Sequence, residues 1–140
     1  MRIERIEEFG LDAATGLAIA ALLDVSFDGI EERSYVLRRH HLRLIVRDGT
    51  RIVGHMALAL RPIRLGENLV DVVTVAEVAT AKDRRGEGIA GALLAEAISN
   101  ARTTGADFIL LYGVAKLYHA AGFRTVANPS RWVDMAGRYT

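Results

Sequence analysis

Cysteine is absent from this 140-residue chain. Its absence excludes disulfides, thiolate metal sites and covalent catalysis through a cysteine nucleophile. Proline is scarce, at 2 residues, and 51% of the side chains are apolar; that profile excludes disordered and collagen-like chains. Charge of one sign is missing too. The 18 basic and 17 acidic side chains leave a net +1, too little for a whole-surface attraction to nucleic acid or anionic lipid, so neither is expected as a partner. No long hydrophobic run occurs either. The most apolar stretch, Ala13 to Leu23, is bounded by Asp12 and Asp24 and is about half of the ~20 residues a membrane span requires. Met1 to Gly10 is too charged for a secretory or transit signal. The expectation is a soluble, cytoplasmic protein.

With no linker, repeat or low-complexity stretch, residues 1–140 read as one domain. Arg2 to Phe9 reads as a first strand. Asp12 is a candidate N-cap for a helix whose apolar positions Ala13, Leu17, Ala20, Ala21 and Leu23 are spaced by threes and fours. A shorter helix is expected from Glu31 to Arg38, acidic at its start and basic at its end. Leu42–Val46 and Ile52–Leu60 are β-rich runs joined by Asp48-Gly49, a hairpin signal. Pro62 cannot donate to a ladder, so the second run must kink or lie at an edge there. After the turn Leu65-Gly66-Glu67-Asn68, the valine-rich Leu69–Thr80 reads as a central strand. Ile89, Leu93, Ala97 and Ala101 then fall on one helical stripe that stops at Gly105. Asp107–Tyr112 reads as a buried strand and Val114–Ala121 as a short helix. Phe123–Ala127 and Trp132–Ala136 are expected to be the last two strands. The order β-α-α-β-β-β-α-β-α-β-β predicts an α/β (α+β) domain with a mixed, mostly antiparallel sheet flanked by helices.

Chemistry concentrates between Glu77 and Gly91. A strand runs into the basic turn Lys82-Asp83-Arg84-Arg85, and Gly86-Glu87-Gly88 opens a helix. A helix N-terminus carries unpaired N–H groups and partial positive charge, which suits phosphate oxygens, and glycines let an anion approach the backbone. The same residues would also serve as a plain strand-to-helix connection. Gly86-Glu87-Gly88-Ile89-Ala90-Gly91 satisfies the dinucleotide pattern G-x-G-x-x-G literally, but an antiparallel meander precedes it and Asp107 sits at the wrong end of the next strand. The chain has no G-K-[ST] of a P-loop. The four histidines offer no metal-binding spacing, since His40 and His41 are adjacent and His55 and His119 are isolated. No metal is expected.

Two motifs resemble those of the GNAT N-acetyltransferases. Arg85-Gly86-Glu87-Gly88-Ile89-Ala90 matches the signature [QR]-x-x-G-x-[GA], and Tyr118-His119-Ala120-Ala121-Gly122-Phe123 is similar to the aromatic helix that ends in Gly-Phe. They stand in the family's order with a strand between them, and the element order resembles the fold across nearly the whole chain. Lys82 occupies the place of a common proline, and the connection from Tyr112 to Tyr118 is shorter than usual. The run from His55 to the Arg85 motif also has some resemblance to the rhizobial nodulation N-acyltransferases, which implies a longer acyl donor as an option.

This resemblance implies acyl-coenzyme A, either acetyl-CoA or another acyl-CoA, as co-substrate. The backbone of Val78, Ala79 and Thr80 would pair with its pantetheine arm. The amides of Arg85, Gly86, Glu87, Gly88, Ile89, Ala90 and Gly91 would hold its pyrophosphate. Without cysteine, an amine of a small molecule or peptide would attack directly in a ternary complex. Tyr118 is the family-matched general acid, or alternatively an aromatic packed under the last strands. Glu77, expected on the face of Asp71, Val73 and Val75, is the candidate base; its alternative is a carboxylate paired with an arginine. Asp71 lies nearer the strand's start. His55 reads as a proton relay or a half-buried structural residue. A non-catalytic module that binds a CoA ester or a protein is the competing functional class. Trp132, on a late strand, leaves a homodimer open.

Overall fold

The computed structural model describes residues 1–28, 33–35 and 38–127. The chain forms β1 (Ile3–Glu7), a 3-10 turn over Glu8–Gly10 and α1 (Ala13–Asp24). It continues through β2 (Leu42–Asp48), β3 (Arg51–Leu65) and β4 (Asn68–Thr80). After a 3-10 turn over Lys82–Arg84 come α2 (Ile89–Arg102), β5 (Phe108–Leu111) and α3 (Lys116–Ala120). The five strands make one sheet in the order β1-β2-β3-β4-β5. Every neighbouring pair is antiparallel except β4 and β5, which α2 joins as a parallel crossover.

Local chemistry accounts for the elements. Asp12 caps α1, with Oδ1 accepting from the Thr15 amide at 2.8 Å and Oδ2 from its hydroxyl at 2.9 Å. α1 buries Thr15, Ile19, Ala20, Leu22 and Leu23, so Ala20 and Leu23 face inward as expected, whereas Ala13, Leu17 and Ala21 are exposed, Leu17 by 62%. The inward stripe is therefore rotated from the one expected. The helix is apolar on most sides, so spacing alone could not select a face. α2 buries Ile89, Leu93, Ala97 and Ala101 as its periodicity predicts, together with Leu94. Gly49 and Gly66, at φ +60° and +61°, close the two hairpins. β2 reaches only as far as Leu58 along β3, so Pro62 sits where β3 has become an edge and forfeits no ladder bond with β2.

The helices lie on opposite faces of the sheet. Gly54 on β3 meets Ile89 and Leu93 of α2, beside Val46 of β2. Arg47, one residue on from Val46, donates from Nη2 to Thr15 of α1 at 3.0 Å. Arg47 also donates to Glu4, which pairs with Ile45 and so lies on the face opposite that of Val46.

Two expected elements have no counterpart among the described residues. Residues 123–127 form no strand; the other late strand, expected at 132–136, lies outside the described residues, as does Trp132. Phe123 instead meets Tyr118 edge-on, with ring centroids 6.2 Å apart. The expected helix from Glu31 to Arg38 includes residues outside the described set, and Arg33, Ser34, Tyr35 and Arg38 are not helical.

Among the described glycines, Gly54 has the closest neighbours. A Cβ there would stand 2.4 Å from Ile89 Cγ2 and 3.2 Å from Leu93 Cδ1, so Gly54→Ala must push α2 off the sheet. The expected cost is about 1–3 kcal/mol, the scale of overpacking a core, read from urea unfolding. Unchanged stability would show that α2 does not bear on β3 at this point.

Candidate active site

The glycine turn is open. Gly86 and Gly88 adopt φ +86° and +79°, and Gly88 is the N-cap of α2 with no side-chain capping bond. A Cβ built on Gly86, Gly88 or Gly91 would meet nothing within 4 Å. The first helical bond runs from Ala92 N to Gly88 O at 3.0 Å. The amides of Ile89, Ala90 and Gly91 therefore precede any intrahelical acceptor and carry the positive end of the helix dipole. Ion pairs fix the turn. Arg84 grips Glu87 through two bonds of 2.7 and 2.8 Å and reaches Asp48 at 2.5 Å, while Arg51 makes two bonds of 2.7 Å to Asp83. Hydrogen bonding to Arg51 holds the Asp83 carboxyl down at about 2. Exposed pairs of this kind add little stability singly, but together they set the path of the loop. Arg84 and Glu87 are thus engaged with each other, whereas Lys82 and Arg85 are exposed.

A free backbone edge adjoins this turn. β5 pairs with β4 from Val72 to Val75 and ends at Leu111. From Val78 to Thr80, the side of β4 that faced β5 has no strand partner among the described residues. Val78, Ala79 and Thr80 lie on this edge.

β4 bulges in the same segment. His55 pairs with Ala79 and Ala57 with Ala76, so Glu77 and Val78 together oppose Met56. Glu77 has φ +51°, a left-handed conformation that costs a non-glycine residue about 1–2 kcal/mol. The bulge corrects the expected placement of Glu77. Val75 pairs with Leu58, whereas Ala76 pairs with Ala57, which lies opposite Arg43 of β2. The bulge takes the Glu77 side chain away from the face of Val73 and Val75 and onto the face of Arg43. Asp71 is exposed beside Pro62, far up the strand.

A buried polar cluster gathers around Glu77, whose side chain is 8% exposed. Oε2 stands 3.6 Å from Arg43 Nη1. Oε1 is 3.1 Å from His40 Nε2, close but not aligned as a hydrogen bond. Arg43 is fully buried. It donates from Nε to Glu8 at 2.9 Å and from Nη1 to the Ser34 carbonyl at 2.5 Å, and Nη1 lies 3.2 Å from His55 Nε2. The other ring nitrogen of His55 is 2.8 Å from the Glu77 carbonyl oxygen. Burial would raise the Glu8 carboxyl, but its bonds from Arg43 and Arg39 outweigh that and hold it below its ordinary value. Burial pushes His55 down to about 4, so its ring is neutral near pH 7. Sequence reasoning did not single out Arg43; the signal was a lone arginine inside Leu42-Arg43-Leu44-Ile45-Val46. His40 and His41 do diverge. His40 is buried at Glu77, and exposed His41 accepts from the Leu60 amide at 2.9 Å.

Tyr118 stands apart from this cluster, on α3. Its ring packs edge-on to Phe123 and so close over Gly113 that a Cβ there would lie 2.8 Å from Tyr118 Cε2. Burial raises its hydroxyl pKa above the ordinary phenol value, so it remains a proton donor at neutral pH. Among the described residues, no group of three histidine, aspartate or glutamate side chains could hold a metal ion, and no helix is long and apolar enough to cross a membrane.

Comparison with known proteins identifies a family and a fold. Residues 2–126 match the family model described as an acetyltransferase (GNAT) domain. An acetyltransferase from Trypanosoma brucei is 19% identical with a TM-score of 0.68, over 94% of this chain and 99% of that one. A transcriptional regulator from Bacillus halodurans is 18% identical with a TM-score of 0.70, over 94% and 99%. The glucosamine-6-phosphate N-acetyltransferase of Arabidopsis thaliana is 14% identical with a TM-score of 0.67, over 96% and 100%. These likenesses show the shared fold. No curated protein sequence matches this chain.

The buried histidine makes stability depend on pH. Unfolded His55 takes up a proton near pH 6.5, whereas in the fold it does so only near 4. Between those values the unfolded chain binds more protons, so its contribution is fully present above pH 6.5 and declines as pH falls towards 4. The limiting slope is about 1.4 kcal/mol per pH unit. Glu8, held below its ordinary value, adds its own loss only at more acidic pH. Urea unfolding at pH 7, 6 and 5 should show the stability gap between wild type and His55→Asn shrinking with acidification. A constant gap would contradict the buried, neutral ring.

Proposed function

Because the chain belongs to the GNAT acetyltransferase family, we propose that it moves an acyl group, most simply acetyl, from an acyl-coenzyme A to a primary amine. The observation that carries this reading is the meeting of two unfilled backbone features, the free β4 edge at Val78–Thr80 and the uncapped N-terminus of α2. A pantetheine arm has amides that can extend a sheet edge. A diphosphate suits the amides from Arg85 to Gly91, with Lys82 and Arg85 exposed beside them. The edge leads through Lys82–Arg84 into the helix start, an order that suits a ligand with both groups.

The chain has no cysteine to carry an acyl group, so the amine attacks the thioester carbonyl directly. A C–N bond forms, the C–S bond breaks, and the amine gives up a proton. The free β4 edge would supply a donor to the tetrahedral oxyanion. Tyr118, kept protonated by burial, would protonate the departing thiolate. Glu77, one residue before the edge, is the candidate acceptor of the amine's proton, although its contacts with Arg43 and His40 also give it a structural part. The acceptor amine belongs to a small molecule or a peptide.

Release of free coenzyme A from acetyl-CoA across a panel of amines tests the reading. Turnover with any amine supports it, and CoA binding without turnover would leave a binding module. Tyr118→Phe keeps the ring that packs on Phe123 and Gly113. Its turnover should fall by roughly 10²–10⁴-fold, the scale of lost acid–base catalysis, with acetyl-CoA affinity nearly unchanged. Full turnover in this variant would remove Tyr118 from the mechanism.

A further inference from the structure

The proton on His55 is assigned from its two neighbours. The ring is buried on β3 between Arg43 Nη1, 3.2 Å from Nε2, and the Glu77 carbonyl oxygen, 2.8 Å from Nδ1. A guanidinium only donates and a carbonyl only accepts. Nε2 must therefore offer its lone pair to Arg43, and the one proton of the neutral ring resides on Nδ1, donated to Glu77. Arg43 cannot swing away to permit the other tautomer. Its Nε is held by Glu8 at 2.9 Å, and Nη1 also donates to the Ser34 carbonyl at 2.5 Å. The titratable and charged groups that face the ring are Arg43 from β2, Glu77 from β4 and His40 from the segment before β2.

The carbonyl that His55 holds belongs to the residue at φ +51°, where β4 carries one residue more than β3. The free edge at Val78, Ala79 and Thr80 begins immediately after it. We propose that His55 and Arg43 are positioning residues for acyl transfer: Arg43 fixes the Nδ1-protonated tautomer of His55, and that N–H clamps the Glu77 carbonyl, setting the bulge that aims the edge at the acyl donor. This rests on the acyl-coenzyme A reading above. Through Glu8 the clamp extends to the turn after β1, so the N-terminal strand and the candidate site share one buried chain of contacts.

The test has two independent readouts on the full chain. The first is the imidazole ¹⁵N spectrum of the wild type between pH 5 and 8. It should show a neutral ring protonated on Nδ1 throughout; an Nε2-protonated ring, or titration near 6.5, would overturn the clamp without any variant being made. The second compares His55→Asn, whose amide can place an N–H near the position of Nδ1, with His55→Leu, which cannot donate. Both are first checked for a native near-UV spectrum. For the folded variants, kcat/KM for acetyl-CoA should drop at least ten-fold in His55→Leu and recover most of that in His55→Asn. Equal values in wild type and His55→Leu, or an Asn variant as poor as the Leu variant, would overturn the positioning role. A wild type that neither binds nor turns over acetyl-CoA would instead defeat the underlying functional reading, while the ¹⁵N spectrum still judges the clamp.

Discussion

A guanidinium with no contact with water governs the assembly of one end of this sheet. Removing an ion from water costs several kcal/mol even after relaxation, and only well-placed partners offset it. Arg43 has them: the Glu8 carboxylate, the Ser34 carbonyl, the His55 ring and the Glu77 carboxylate. These come from the turn after β1, the segment before β2, β3 and the bulge of β4. Each must be in place for the others to be satisfied, so the cluster specifies how four parts of the chain meet.

The constraint is local to the α1 side of the sheet. On the other side, packing is apolar and close: α2 lies against Gly54 with Ile89, Leu93, Leu94 and Ala97 buried. That contact places the start of α2 beside the end of β4, where the glycine turn leaves its amides uncovered. The two sides therefore make complementary contributions. Apolar packing fixes where the helix N-terminus lies, and the polar cluster fixes the backbone shape of the strand that leads to it.

Much of this was legible in the sequence, because it depends on local signals. Asp12 as a cap, Asp48-Gly49 as a hairpin, the stripe Ile89-Leu93-Ala97-Ala101 and Gly86/Gly88 before a helix each act within a few residues. The face of Glu77 was not legible. Strand alternation assigns faces only while pairing is regular, and one extra residue in β4 reverses the assignment. The buried role of Arg43 escaped for a related reason, since its partners come from separate segments, the most distant being Glu8, 35 residues away. For α1, a helix that is apolar on most sides carries too little contrast to reveal which stripe turns inward.

The central claim is that the β4 edge and the α2 N-terminus together receive an acyl-coenzyme A. Titration of the ¹⁵N-labelled protein with acetyl-CoA, followed by amide shifts, addresses it most directly. The account predicts that the largest changes fall on Val78 to Thr80 and on Gly86 to Gly91, saturating together with one affinity. Saturable changes confined instead to the groove of about 760 Å³ beside Phe9, His41 and Thr104 at the other end of α2, or no saturable change at all, would contradict it.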